Sequence, residues 1–133
     1  LALYILVIED DADVSKFVVT GLRESGHVVE FATNGRDGIM LAQSKHFDAL
    51  IIDRQLPGGV DGADMLQSLR GNGINTPALF LSGLGQISDW TKGLQAGGDD
   101  YLVKPASMEE ILQRIAAITA PKAASKGTPA GSD

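Results

Sequence analysis

The chain contains no cysteine. Disulfide frameworks and thiolate metal centres are therefore excluded, and a cytoplasmic location is the expectation. Its longest apolar runs are about eight residues, too short to cross a membrane as a helix, so no membrane partner is expected. No basic leader accompanies Leu1–Ile8, which reads against a signal peptide. Basic residues are outnumbered, 11 against 17 acidic, for a net charge of −6. That balance opposes direct DNA binding by this chain. No glycine-rich phosphate loop follows the first apolar run, which disfavours a nucleotide-binding domain. What remains is a chain of 133 residues, 44% apolar, enough for one domain with a real core.

Three apolar segments each end in charge. Leu1–Ile8 runs into Glu9-Asp10, Ala49–Ile52 into Asp53, and Tyr101–Val103 into Lys104-Pro105. In a parallel sheet all strand ends lie on one edge, so these charges converge there if the segments are parallel strands.

The rest of the pattern supports that condition. Leu3–Ile8 reads as a strand buried on both faces. Asp11 or Asp13 caps a helix to about Ser25, with Phe17, Val18, Leu22 and Val14 directed inward. Val28–Phe31 is a second strand. Asn34-Gly35 opens a helix near Arg36–Gln43, with Ile39, Met40 and Ala42 available for packing. Ala49–Ile52 is the third strand, and Leu56–Gly62 is a loop rich in glycine. A helix over Ala63–Arg70 follows, then a strand over Ala78–Leu81 opened by Pro77. The next helix, Ile87–Ala96, is interrupted by Gly93 and has a thin apolar stripe. Tyr101–Val103 is the fifth strand. Ser107 caps the last helix, where Ile111, Ile115 and Ile118 share a face. Five strands alternating with five helices predict an α/β fold, a doubly wound parallel sheet, within residues 1–120. Residues 121–133 carry no bulky apolar residue and read as a flexible linker or tail.

Ligands of such sheets sit at the C-terminal strand edge. Glu9, Asp10, Asp53, Ser82 and Lys104 all fall there. Clustered carboxylates repel one another and invite a divalent cation. Mg²⁺ suits them, because it takes oxygen ligands and bridges carboxylates to a phosphoryl group. Lys104 offers a positive charge for phosphate oxygens and Ser82 a hydroxyl donor. Asp53 is placed to act as nucleophile and form an acyl phosphate. Taken singly, each residue has a plainer role as cap, turn hydroxyl or solvated charge; the conjunction carries the reading.

This set resembles the receiver domain of bacterial two-component response regulators. The resemblance rests on Glu9-Asp10-Asp11, Asp53 with Leu56-Pro57-Gly58 and Asp61-Gly62, and Leu81-Ser82-Gly83. It continues through Asp89, Gly93-Leu94, Ala96-Gly97 and Asp99 to Pro105. It implies a flavodoxin-like five-stranded sheet of order 2-1-3-4-5 and phosphotransfer from a histidine kinase to Asp53. It also implies Mg²⁺ on Asp10, Asp53 and the Gln55 backbone carbonyl, with Glu9 acting through a water. Ser82 and Lys104 would contact the phosphoryl oxygens, and the Lys104–Pro105 bond would be cis. Ser82 and Tyr101 would form the switch. The chain would be a phosphoacceptor that takes part in its own phosphorylation and dephosphorylation, not an enzyme in the usual sense.

The stretch Asp99–Pro105 with Glu109-Glu110 and Arg114-Ile115 is most similar to the subfamily with a winged-helix DNA-binding output domain. That likeness implies a homodimer on activation through the fourth helix, fifth strand and fifth helix, with Lys92, Asp100, Glu110 and Arg114 at or near the ion pairs. DNA would be bound by a C-terminal domain absent from this chain. Some positions depart from the family. The loop after Asp53 is one residue longer before Asp61-Gly62, a length that Gly58-Gly59 should absorb. Arg54 stands where an aliphatic residue is usual, so its guanidinium must reach an edge or find a carboxylate. Gly83 and Ala106 replace a common alanine and phenylalanine. Gln55 and Leu84 fall at positions that tune dephosphorylation in the family, and Leu84 cannot orient a water. Two other readings stay open: a stand-alone or degenerate receiver that acts by protein docking, and a Mg²⁺-dependent aspartyl phosphatase. The phosphatase would want an acid where Gln55 stands.

Overall fold

A computed structural model of the chain describes residues 1–120. The expected linker over 121–133 lies outside the described residues. Five parallel strands form one sheet: β1 (Tyr4–Ile8), β2 (Val28–Ala32), β3 (Ala49–Ile52), β4 (Ala78–Ser82) and β5 (Asp100–Val103). Their spatial order is β2-β1-β3-β4-β5, all pairs parallel. Five helices connect them: α1 (Ala12–Glu24), α2 (Gly35–Ser44), α3 (Gly62–Gly71), α4 (Ile87–Gln95) and α5 (Met108–Thr119). The expected doubly wound sheet and its order are both present.

Helices cover both faces, so the strands must be apolar on both. Side chains alternate along each strand and divide between two cores. Leu6 and Ile8 of β1 join Leu50, Ile52 and Phe80 against α2, α3 and Tyr101. Ile5 and Val7 join Ala49, Ile51, Leu79, Leu81 and Leu102 against Val18 and Leu22 of α1 and Ile111 and Ile115 of α5. Burial of β1, β3 and β4 is near complete.

Two inward assignments are corrected. Phe17 is 51% exposed and Met40 is 55% exposed. In α1 the buried stripe is Ser15, Val18, Val19 and Leu22, which rotates Phe17 off the sheet. In α2 the buried face is Gly35, Gly38 and Ala42; Gly38 lies so close to Ile8 that a Cβ would overlap it at 2.8 Å. Close helix-to-sheet approach through glycine leaves the larger Met40 on the outside.

The remaining boundaries follow local chemistry. Asp11, not Asp13, caps α1, accepting from the Asp13 and Val14 amides. Ser107 and Glu110 form a reciprocal capping box on α5. Gly93 has a packing reason inside α4: its Cα side faces the Tyr101 and Phe80 rings, 3.0 and 3.1 Å from where a Cβ would sit. The segment expected as a loop after β3 holds two short antiparallel strands, Gln55–Leu56 and Val60–Asp61, around a single 3-10 turn. Gly58 and Gly59 both adopt positive φ there, 77° and 72°, and so make the extra length a tight turn.

Candidate phosphoacceptor site

Register brings the charged ends together. Ile8 pairs with Ile52, so Glu9 and Asp53 leave adjacent strands side by side. Ser82 pairs with Val103, and the Lys104 amide donates to the Ser82 carbonyl at 2.8 Å. The strand order changes direction at β1, where β2 and β3 diverge, and the crevice opens at that edge.

Glu9, Asp10 and Asp53 each present a carboxylate oxygen within 4.8 Å of the others. Glu9 and Asp53 are buried and Asp10 is exposed. Lys104 Nζ donates to Glu9 Oε1 at 2.6 Å and to Asp53 Oδ2 at 2.9 Å. The Gln55 amide donates to Asp53 Oδ1 at 3.2 Å. Burial raises the Glu9 pKa above the ordinary value, and its bonds to Lys104 and the Asp11 amide only partly offset that. Burial works against the Lys104 charge, but the bonds to Glu9 and Asp53 outweigh it and hold its pKa above the usual lysine value. An all-oxygen, acidic donor set of this kind fits Mg²⁺. Asp10, Asp53 and Glu9 are the residues that would hold it, and it would neutralise charge shared by carboxylates and phosphoryl oxygens.

Ser82 is fully buried at the end of β4, where its oxygen accepts from the Leu84 amide at 3.3 Å. Tyr101 is turned inward, 1% exposed, and its hydroxyl donates to the Leu84 carbonyl at 2.7 Å. The Lys104–Pro105 peptide is cis. The four residues expected on a dimer face are engaged within the chain. Lys92 pairs with Asp61 at 2.9 Å and Asp64 at 3.4 Å, and Arg114 with Asp100 at 3.0 Å. Glu110 closes the α5 cap.

Asp61 and Gly62 have contacts that their motif alone does not reveal. Asp61 is the carboxylate that Arg54 finds, with bonds of 2.7 and 2.9 Å from Nε and Nη2. Arg54 is only 4% exposed. A Cβ at Gly62 would lie 2.0 Å from the Asp53 carbonyl oxygen, so only glycine lets α3 start against the strand end. The Asp-Gly pair after the loop was visible as a motif, but its contact with Asp53 was not.

The model of the response regulator receiver domain family matches residues 5–116. The chain belongs to that family: it is the receiver domain of a two-component response regulator. It is 43% identical over 111 residues to the probable transcriptional regulatory protein SilR of Salmonella typhimurium, covering 84% of this chain and 48% of that protein. The chain spans about half the length of the curated relatives it matches. Among solved structures, the Francisella response regulator 1452 receiver domain superposes with a TM-score of 0.83 at 33% identity, covering 88% of this chain and 96% of that one. The receiver domain of sensor histidine kinase PA1611 from Pseudomonas aeruginosa PAO1 has a TM-score of 0.82 at 27% identity, covering 91% of this chain and 100% of that one. That protein carries a magnesium ion coordinated in its active site cleft.

Proposed function

We propose that Asp53 accepts a phosphoryl group from a partner histidine kinase. One Asp53 carboxylate oxygen forms the new bond to phosphorus. The bond from phosphorus to the kinase imidazole nitrogen breaks, and its electron pair stays on that nitrogen. The observation that carries the reading is the buried Asp53 carboxylate, held by Lys104 at 2.9 Å beside Glu9 and Asp10. Lys104 and Ser82 serve the phosphoryl oxygens. Asp10, Asp53 and the Gln55 carbonyl would hold Mg²⁺, with Glu9 acting through a water. This chemistry makes the chain a phosphotransfer acceptor that assists its own modification and its reversal.

Phosphorylation biases a two-state element. Ser82 and Tyr101 link Asp53 to the face of α4, β5 and α5, where Ile87, Trp90 and Leu94 are exposed apolar residues. That face supports a homodimer on activation. The transcriptional regulators among the relatives support a DNA-binding domain C-terminal to this one, in keeping with the acidic charge of the receiver itself. Among the described residues no helix is long and apolar enough to cross a membrane.

The test is incubation with a small phosphodonor and Mg²⁺, read by intact mass. One added phosphoryl group, lost in Asp53→Asn, is the expected result. No modification of the parent protein by any small donor would overturn the reading.

A further inference from the structure

Arg54 follows Asp53 directly, and its burial needs an account. A guanidinium keeps its charge in any protein environment and presents a rigid fork of donors. Such a group, 4% exposed, must be fully engaged or very costly. Its partners come from separate segments. Asp61, at the end of the glycine hairpin, takes two bonds from Nε and Nη2. The backbone carbonyl of Asp89, in the first turn of α4, takes the third from Nη1 at 2.7 Å. Helix α4 in turn packs over Tyr101, with the Trp90 ring 5.9 Å from the Tyr101 ring and no room for a Cβ at Gly93. Lys92 reaches from the middle of α4 to the Asp61 carboxylate at 2.9 Å and closes the bridge a second time. The Arg54 carbonyl also accepts from the Gly62 amide at 2.8 Å, at the start of α3.

We propose that Arg54 is a positioning residue that ties the peptide after the phosphoacceptor to helix α4, the helix that packs over Tyr101. Movement of α4 away from the Asp53 loop would leave a buried cation without its carbonyl partner. Helix α4 therefore responds to the Asp53 loop through a charged side chain and not through apolar packing alone. Asp61 completes the device, since it is shared between Arg54 and Lys92.

The chain carries its own reporter. Its only tryptophan, Trp90, sits on α4 with its ring 5.9 Å from Tyr101. Trp90 fluorescence in Arg54→Leu tests the proposal in two ways. Collisional quenching by acrylamide should rise; because Trp90 is already 44% exposed, the ceiling is about two-fold. The change in Trp90 emission on adding Mg²⁺ and beryllofluoride should shrink, although beryllofluoride still raises the melting temperature. Measurements at two protein concentrations remove any contribution from association. Unchanged quenching together with an unchanged beryllofluoride response would overturn the proposal.

The second readout rests on the phosphoacceptor reading and the first does not. If beryllofluoride shifts the melting of neither protein, that reading fails, while quenching still decides the role of Arg54. Arg54→Lys keeps the charge but loses the fork, and it carries the same test should the leucine variant fail to fold by circular dichroism. Failure of both to fold would also overturn the proposal, because the residue would then serve stability and not position.

Discussion

Replacement of Lys104 by methionine keeps the side-chain stem and removes its charge. Two charge-assisted bonds disappear, at 2.6 Å to Glu9 and 2.9 Å to Asp53. Each such bond contributes about 1.5–3 kcal/mol, so the gross loss is about 3–6 kcal/mol. The lysine is 22% exposed, and water can partly replace it at the two carboxylates. A net loss of about 3 kcal/mol follows, at the lower end of the range for breaking a buried pair. For a domain of this size that is a fall of about 10 °C in melting temperature. Glu9, Asp10 and Asp53 then lie together without a neutralising cation. Mg²⁺ should restore much of the loss, and should stabilise the variant more than the parent. Thermal melts followed by circular dichroism at neutral pH, with chelator and then with Mg²⁺, measure both effects. Lys16→Met, at an exposed position, serves as control and should change stability by no more than about 0.5 kcal/mol. A Lys104→Met protein that melts with the parent in chelator, or ignores Mg²⁺, would mean that Lys104 does not neutralise this carboxylate cluster.

Three further outcomes follow from other contacts. Gly62→Ala should destabilise by about 3 kcal/mol and slow phosphorylation, because its Cβ would meet the Asp53 carbonyl at 2.0 Å; urea denaturation and mass-resolved phosphorylation rates check it. Asp61 titrates below the ordinary carboxylate range: burial pushes its pKa up, but bonds from Arg54, Lys92 and the Ala63 amide outweigh burial. Its contribution is thus present above the unfolded pKa of about 4 and lost as pH falls through the lower folded value. Asp61→Asn should cost about 1–2 kcal/mol at neutral pH, with the gap to the parent closing in strong acid; a gap independent of pH would contradict the assignment. Activation should raise the apparent mass in gel filtration, and Arg114→Ala, which breaks the 3.0 Å pair with Asp100, should reduce that rise; an unchanged monomer in the parent would count against the dimer.

The fold was legible because the strands are short, apolar and separated by turn chemistry. Buried β1 and β3 admit few alternatives, and their charged ends had to emerge on one edge once the sheet was parallel. Asp53, Lys104, Glu9 and Asp10 could therefore be placed together from strand ends alone. Phe17 shows where the pattern failed: helical spacing gives a stripe, but its rotation against the sheet depends on which small residues permit close approach. The same holds for Met40, displaced outward as Gly38 packs on Ile8. Arg54 posed a visible question, a charge next to a buried strand, and its answer lay seven residues away in a hairpin that read as loop. Gly62 and Gly93 are glycine for reasons of contact with Asp53, Tyr101 and Phe80, and contact across the fold has no local signature.

The location and lability of the phosphoryl group report on the chemistry of Asp53 itself. Protein phosphorylated by a small donor with Mg²⁺ is split into two samples, one treated with neutral hydroxylamine, and both are mapped by peptide mass spectrometry. A single modification is expected on the peptide containing Asp53, removed by hydroxylamine with conversion of that side chain to a hydroxamate. A phosphoryl group on another residue, or one that survives hydroxylamine, would contradict phosphotransfer to Asp53.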